Sequence, residues 1–143
     1  MTRTLADIAE AMKDIDFTML STIAENGAIA ARPMSNNREV EYDGDSWYFT
    51  FDDTAMIADI ARNPAVGLSF QSKAGMLGLR PYFVHIEGRA DVIRDKARFE
   101  EHWTSGLERW FKQGVDTPGL VLIHVKAARV HYWDGEDEGE VAL

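Results

Sequence analysis

Two β-prone runs near the start of the chain, Phe17–Ala24 and Ala28–Ser35, are separated by a turn that contains Asn26-Gly27. Asn-Gly is the strongest short-range signal for a β-hairpin, because both residues tolerate the positive φ angles that a tight turn between two strands requires. The sequence therefore predicts that these two runs pair as antiparallel strands.

Short strands and turns continue through the rest of the chain. Asp43-Gly44-Asp45 predicts a second turn that joins Glu39–Tyr42 to Ser46–Phe51, and the aromatic run in the latter segment is typical of a strand packed on both faces. Gly88 indicates a bulge or a close approach of two backbones within a long strand, and an interruption of the last strand is expected near Lys126–Ala128. Further strands are predicted over 65–71, 81–93 and 120–133.

Helical patterns are few. The apolar residues between Leu5 and Ile15 recur at steps of three and four, which predicts a short amphipathic helix over residues 4–14. Thr54 predicts the start of a helix over 55–62. Asp95 predicts the start of a third helix, whose apolar stripe comprises Phe99, Trp103, Leu107, Trp110 and Phe111. Because the last two of these residues are adjacent, they point about 100° apart, and one of them is expected to face outward.

Strands in hairpin order with few helices between them predict a mainly β fold, a six-stranded antiparallel barrel with α decoration. A parallel doubly wound sheet would need a regular alternation of strands and helices, which the sequence lacks. We expect a single domain over residues 1–134, followed by an acidic, flexible tail over 135–143.

Composition excludes several functional classes. The formal net charge of −9 argues against a nucleic-acid partner and against an anionic membrane surface, since both require clustered Lys and Arg. No secretory signal is recognised, and the absence of cysteine excludes disulfides and thiolate chemistry, so a cytoplasmic protein is expected. The four histidines share no metal-ligand spacing, and no residue pattern indicates a catalytic acid, base or nucleophile.

Three segments are candidates for ligand binding. The backbone of Arg32-Pro33-Met34-Ser35 is interrupted by a proline and could bind a planar heterocycle, or this segment is an ordinary edge strand with a solvent-facing arginine. The free N–H groups of the helix that begins at Thr54 could bind a phosphate, or Trp47–Phe51 and this helix form ordinary core. The aromatic residues near the C-terminus either fill a core or enclose a ligand.

The following motifs occur in sequence order: Arg32-Pro33-Met34, Tyr48-Phe49-Thr50, Asn63-Pro64-Ala65-Val66, Gly88-Arg89-Ala90, Trp103, Trp110-Phe111, Gly114 and Tyr132-Trp133-Asp134. Together they resemble the flavin-binding split barrel of the pyridoxamine-5′-phosphate-oxidase-like superfamily. The resemblance extends over nearly the whole chain, and its last four motifs are similar to the general-stress-protein branch in particular.

The resemblance implies a homodimer that holds FMN in two clefts at the subunit interface and acts as a flavin-dependent oxidoreductase. FAD or no cofactor are the alternatives. The isoalloxazine ring and ribityl chain would lie against the backbone at 32–35 and 49–51. By resemblance, the cofactor-binding residues would be Arg32, Pro33, Met34, Ser35, Phe49, Thr50, Phe51, Thr54, Trp110 and Trp133. Of these, Arg32 would contribute to the phosphate site.

One departure from the family pattern leaves a second function open. Related proteins usually carry Lys, often with Arg, just after the Ser or Thr that starts the short helix, whereas this chain carries Ala55 and Met56. Lys73, Arg80 and Arg89 are the candidates to replace these cations. The alternative function is a non-catalytic split-barrel dimer, a ligand-binding or stress-related module with weak or lost flavin binding. A haem-binding or deazaflavin-binding relative is the third option.

Overall fold

The predicted hairpin forms one edge of the sheet. In a computed structural model, which describes residues 3–36, 41–73 and 81–143, Phe17–Ile23 (β1) pairs antiparallel with Ile29–Ser35 (β2). Gly27 has a φ of 83°, which lets the chain turn back between the two strands. The other helices and strands within the described ranges are α1 (Leu5–Met12), β3 (Asp45–Phe51), α2 (Ala55–Arg62), β4 (Ala65–Gln71), β5 (Tyr82–Ile93), α3 (Lys96–His102), β6 (Leu120–Asp134) and β7 (Asp137–Ala142).

The strands form an antiparallel sheet in the order β2-β1-β4-β5-β6-β3, and β7 pairs with the second half of β6. The predicted mainly β architecture with α decoration is confirmed, but the described residues contain seven strands rather than six. The additional strand lies in the acidic stretch predicted as a tail, where a hairpin turns at Gly135 with a φ of 64°. Val141 of this strand packs against the main core, so an apolar contact holds the acidic stretch against the sheet.

The strand β3 pairs with β6. Asp45–Phe51 lies residue by residue opposite Leu120–Lys126. The segment 39–42, which the predicted turn joins to this strand, lies partly outside the described residues, and residues 41–42 are not in a strand. The first half of β6 is apolar on both faces, and its burial favours a partner that is apolar on both faces as well.

Side chains of β3 enter two separate clusters of buried residues. Tyr48 lies in the main core, whereas Phe49 lies in a smaller core on the opposite side of the strand. The prediction of a strand packed on both faces is therefore confirmed. The buried members of the smaller core are Phe49, Phe99, Phe111, Leu120 and Leu122.

The irregularity predicted at Gly88 is present. The register between β5 and β6 shifts between Glu87 and Gly88, and Ala128 is the extra residue on β6. A Cβ at Gly88 would lie 2.6 Å from the carbonyl oxygen of Lys126, so the two backbones approach too closely for any side chain. The interruption predicted near residues 126–128 corresponds to this bulge, and the strand β6 itself continues through these residues.

The third helix is shorter than predicted. The helix α3 begins after the predicted cap Asp95 but ends at His102, and Trp103 is extended with φ −72° and ψ 131°. Gly106 then has a φ of 90° and precedes a short 3₁₀ turn, Leu107–Arg109. Thr104-Ser105-Gly106 explains the difference, because these residues favour turns over helix interiors.

Candidate functional site

A cleft of about 620 Å³ opens between the end of β2, the strand β3 and the segment that follows α3. This volume is within the range of sites that bind small molecules. The segment that follows α3 is well positioned to form a wall, because its apolar side chains Leu107 and Phe111 pack in the smaller core. The cleft is therefore built on elements that the core holds in place.

The walls of the cleft are aromatic. The strand β3 contributes Trp47, Phe49 and Phe51, and the segment after α3 contributes Trp110 and Phe111. The rings of Phe51 and Phe111 lie 5.3 Å apart between centroids, and Phe49 meets Phe111 edge to face. Trp110 is 60% exposed at the rim while Phe111 is 8% exposed, which confirms that one of these neighbours faces outward.

The end of β2 forms a polar side of the cleft. Pro33, Met34 and Ser35 line it, and β2 is at the edge of the sheet, where the missing N–H of a proline leaves no strand partner unsatisfied. The side-chain amide of Asn36 donates to the carbonyl oxygens of Met12 and Ile15 at 3.0 and 2.7 Å. These bonds tie the end of β2 to α1 and fix the backbone that faces the cleft.

The structure brings together seven of the ten residues that the sequence indicated: Pro33, Met34, Ser35, Phe49, Thr50, Phe51 and Trp110. Arg32, Thr54 and Trp133 do not line the cleft. Trp133 lies on β6, where it stacks on His131 with 4.2 Å between ring centroids. Thr54 caps α2, with its hydroxyl accepting from the N–H of Ile57 at 3.4 Å.

Arg32 contacts a buried carboxylate and not the cleft. Its guanidinium donates to the hydroxyl of Thr22 at 2.7 Å and lies 3.6 Å from the carboxylate of Asp59, which is 5% exposed. Thr22 and Arg62 each donate to the same carboxylate at 2.8 Å. A buried charge is tolerated when it is paired and hydrogen-bonded in this way, so Arg32 serves to neutralise Asp59.

The two positions to which the resemblance assigns cations differ in burial. Met56 is buried in the main core, whereas Ala55 is exposed beside it at the start of α2. Lys73 and Arg89 do not line the cleft, and Arg80 lies outside the described residues. The start of α2 therefore presents no basic side chain to the cleft.

A stack of three rings includes two residues that line the cleft, Trp47 and His102. Trp47 lies between His102 and His124, with centroid distances of 3.5 and 4.1 Å, and His124 is bonded to Asp45 at 2.8 Å. Burial and, next, the nearby guanidinium of Arg98 lower the pKa of His102 below its ordinary value. His102 is therefore neutral near pH 7 and can both donate and accept a hydrogen bond.

His102 and Arg109 line the cleft, and the sequence analysis missed both residues. The signal was present, because Thr104-Ser105-Gly106 interrupts the helical pattern and releases the following residues from the helix. The predicted apolar stripe treated the segment as one continuous helix and did not include Arg109.

The described residues contain no group of three or more His, Cys, Asp or Glu side chains arranged to hold a metal ion. Among the helices of the described ranges, none has the length and apolar character needed to cross a membrane.

Comparisons with known proteins agree with this architecture. The family described as pyridoxamine 5′-phosphate oxidase like matches residues 3–143. General stress protein 26 of Bacillus subtilis (strain 168) is 26% identical over 113 residues, which are 78% of this chain and 79% of that protein. Among solved structures, a Clostridium acetobutylicum protein related to general stress protein 26 has a TM-score of 0.81 at 21% identity, covering 97% of this chain and 94% of that chain.

A heme-binding protein from Mycobacterium smegmatis has a TM-score of 0.77 at 14% identity, and the match covers 99% of this chain and 59% of that chain. These similarities confirm the predicted split-barrel fold.

Proposed function

The chain belongs to the pyridoxamine 5′-phosphate oxidase-like family, and we propose that it is a general-stress-type protein that binds FMN as the cofactor of an oxidoreductase. The observation that carries the proposal is the aromatic cleft of about 620 Å³. A flavin requires a flat apolar slot, hydrogen-bonding groups along the ring edge and a cation for its phosphate. The cleft fits these requirements, because it combines aromatic walls, the polar end of β2 and a lining arginine.

The chain's own residues would hold the cofactor and control access to it. Phe49, Phe51 and Trp110 would pack against the ring system, and the backbone of Pro33, Met34 and Ser35 would bond to its polar edge. A bound flavin supplies hydride and single-electron transfer. The apolar walls would exclude water from the ring, which limits the loss of electrons to solvent species.

A homodimer is part of the proposal. The outward face of the β1–β2 hairpin carries large apolar side chains in water: Ile29 is 80% exposed, Phe17 60% and Met19 43%. Phe17 also lines the cleft, so this face and the cleft are continuous. A second copy packed on the hairpin would cover the apolar face and close the cleft, as the resemblance implies.

The proposal is tested by titrating purified, dialysed protein with FMN, riboflavin and FAD while tryptophan fluorescence is recorded. Saturable binding of FMN at micromolar concentration or tighter is expected. Trp110→Ala should weaken FMN binding about threefold to tenfold, since it removes one aromatic contact. Trp133→Ala is the matched control, because Trp133 lies outside the cleft of its own chain.

No flavin binding by the dimeric, folded protein would contradict the proposal. A loss of affinity in Trp133→Ala equal to that in Trp110→Ala would show that Trp133 of the second copy encloses the cleft.

The second candidate function is a ligand-binding module without catalysis. Arg32, which the resemblance assigns to the phosphate, is paired with Asp59, and Met56, which stands at a position where the resemblance implies a cation, is buried. This function predicts riboflavin and FMN affinities that are equal and weak, and purified protein without visible absorbance.

A further inference from the structure

The cleft has a positive lining although the chain is strongly acidic. The formal net charge is −9, yet no Asp or Glu is found among the described residues that line the cleft, and Arg109 supplies a permanent positive charge there. A pocket that combines an arginine with the absence of carboxylates attracts anions.

Arg109 is available to a ligand. Its side chain is exposed, and no hydrogen bond or ion pair to it occurs within the described part of the chain. By contrast, the exposed Arg94 is paired with Asp52 at 2.6 Å. The neighbouring Glu108 accepts a hydrogen bond from the indole N–H of Trp103 at 2.9 Å, and neither of these two residues lines the cleft.

The backbone around Arg109 is held in place before any ligand arrives. Leu107 and Phe111 pack in the smaller core on either side of Arg109. The N–H of Arg109 donates to the carbonyl oxygen of Gly106 at 3.2 Å, and the N–H of Trp110 donates to that of Leu107 at 2.9 Å. A fixed backbone reduces the entropy that binding must overcome, because only the arginine side chain remains to be ordered.

Further donors lie on the same segment. The side chains of His102, Thr104 and Ser105 line the cleft together with Arg109. Hydroxyl and imidazole groups donate single hydrogen bonds to an anion, while guanidinium donates two parallel bonds to phosphate oxygens. The segment thus offers a bidentate cation and neutral donors within eight residues of sequence.

We infer that residues 102–109 form the anion-binding end of the cleft and receive a phosphate monoester, with Arg109 as its cation and Thr104 and His102 as neutral donors. The site replaces the basic positions that Ala55 and Met56 leave without charge. The inference rests on the proposed function insofar as it identifies the monoester with the phosphate of FMN.

The experiment compares the ratio of riboflavin to FMN dissociation constants in wild type, Arg109→Gln, Arg109→Lys and Arg94→Gln, measured by tryptophan fluorescence. Wild type should prefer FMN by about tenfold or more, and Arg109→Gln should abolish most of that preference while riboflavin affinity stays unchanged. Arg109→Lys should restore it partly, since it keeps the charge but loses the bidentate geometry. Arg94→Gln removes the same charge beside the start of α2 and should leave the ratio unaltered.

An FMN preference that persists in Arg109→Gln would overturn the inference. A preference that is lost in Arg94→Gln but not in Arg109→Gln would overturn it as well. Equal binding of FMN and riboflavin by wild type would also overturn it, and if both affinities are micromolar or tighter, the flavin proposal would stand. If neither flavin binds, the flavin proposal fails, and the same variants are titrated with 1-naphthyl phosphate and 1-naphthol. Tighter binding of 1-naphthyl phosphate than of 1-naphthol that requires Arg109 then supports the inference. Equal binding of the two compounds overturns it.

Discussion

Asp59 is a buried carboxylate on which three polar side chains converge. Arg32 comes from β2, Thr22 from β1 and Arg62 from the last turn of α2. Their combined bonds join the helix to the edge of the sheet. Removing one partner from such a group is costly, because the remaining charge has been taken out of water and is left less well compensated.

We predict that Arg32→Ala lowers the free energy of unfolding by about 2–3 kcal/mol, near the lower end for a broken buried pair because Arg62 and Thr22 remain. Urea denaturation followed by fluorescence measures this loss. Arg94→Ala breaks an ion pair whose two side chains are exposed, and should cost less than about 1 kcal/mol. Equal losses for the two variants would show that the Asp59 group contributes no more than a surface ion pair.

His102 predicts a pH dependence of stability. Its pKa is lowered in the folded protein by burial and by Arg98, while Glu101 and Asp45 oppose this effect and His124 adds to it. The unfolded chain therefore takes up a proton at a higher pH than the folded protein does. The contribution of His102 to the free energy of unfolding is therefore fully present above the unfolded pKa of about 6.5. This contribution is lost as the pH falls through the lower, folded pKa.

The variant His102→Phe keeps a ring against Trp47 but does not titrate. We expect its free energy of unfolding to fall less than that of wild type between about pH 7 and pH 5. Parallel urea titrations of the two proteins at each pH measure how steeply the free energy of unfolding depends on pH. Identical slopes would refute the role assigned to His102.

At the scale of elements, the bulge between β5 and β6 depends on a glycine. A Cβ at Gly88 would lie 2.6 Å from the Lys126 carbonyl oxygen, which is backbone and cannot move without disturbing the strand pair. At Gly67, a Cβ would meet the His85 ring at 3.0 Å, and a side chain can rotate away more easily. The two glycines therefore differ in what surrounds them, although both lie in central strands.

We predict that Gly88→Ala lowers the free energy of unfolding by about 2 kcal/mol, since the added methyl forces a backbone shift. Gly67→Ala should cost less than about 1 kcal/mol. Chemical denaturation of both variants tests the comparison, and a larger loss at Gly67 would contradict it.

The break after α3 is the element that shapes the site. If the helix continued through residue 111, Trp110 and Arg109 would lie on a regular helical surface. The turn at Gly106 instead lets Leu107 and Phe111 enter the smaller core while Arg109 and Trp110 line the cleft. A local interruption thus converts a core-forming segment into the wall of a binding site.

At the scale of the whole molecule, the exposed apolar face of the β1–β2 hairpin predicts self-association. Ile29→Glu places a charge on this face, outside the cleft, and should shift a dimer toward monomer by about tenfold or more in dissociation constant. Sedimentation velocity over a concentration series measures the shift. Leu143→Glu, an exposed apolar site at the other end of the chain, is the control and should leave the dimer intact.

A wild-type protein that is monomeric at high micromolar concentration would contradict the dimer proposal. A dimer that tolerates Ile29→Glu would place the interface elsewhere on the surface.

Local signals in the sequence determined much of the fold. The Asn26-Gly27 turn and the cap at Thr54 each act through the backbone conformation of their own residues or of close neighbours. The motifs that occur in sequence order were also sufficient to recognise the split barrel. Seven of the ten indicated site residues meet in one cleft. Six of them lie on β2 and β3, whose positions follow from that fold, and Trp110 lies in the segment after α3.

Contacts between distant parts of the chain were decided only by the tertiary structure. The partner of β3 lies on β6, about 70 to 80 residues later, and the partner of Arg32 is a carboxylate on α2. Neither choice is local, since each depends on which apolar surfaces and charges the completed sheet brings together. The position of Arg109 in the cleft also depends on contacts between distant parts of the chain. Its neighbours in sequence are held by the smaller core, and the pattern within its own segment does not indicate where that core lies.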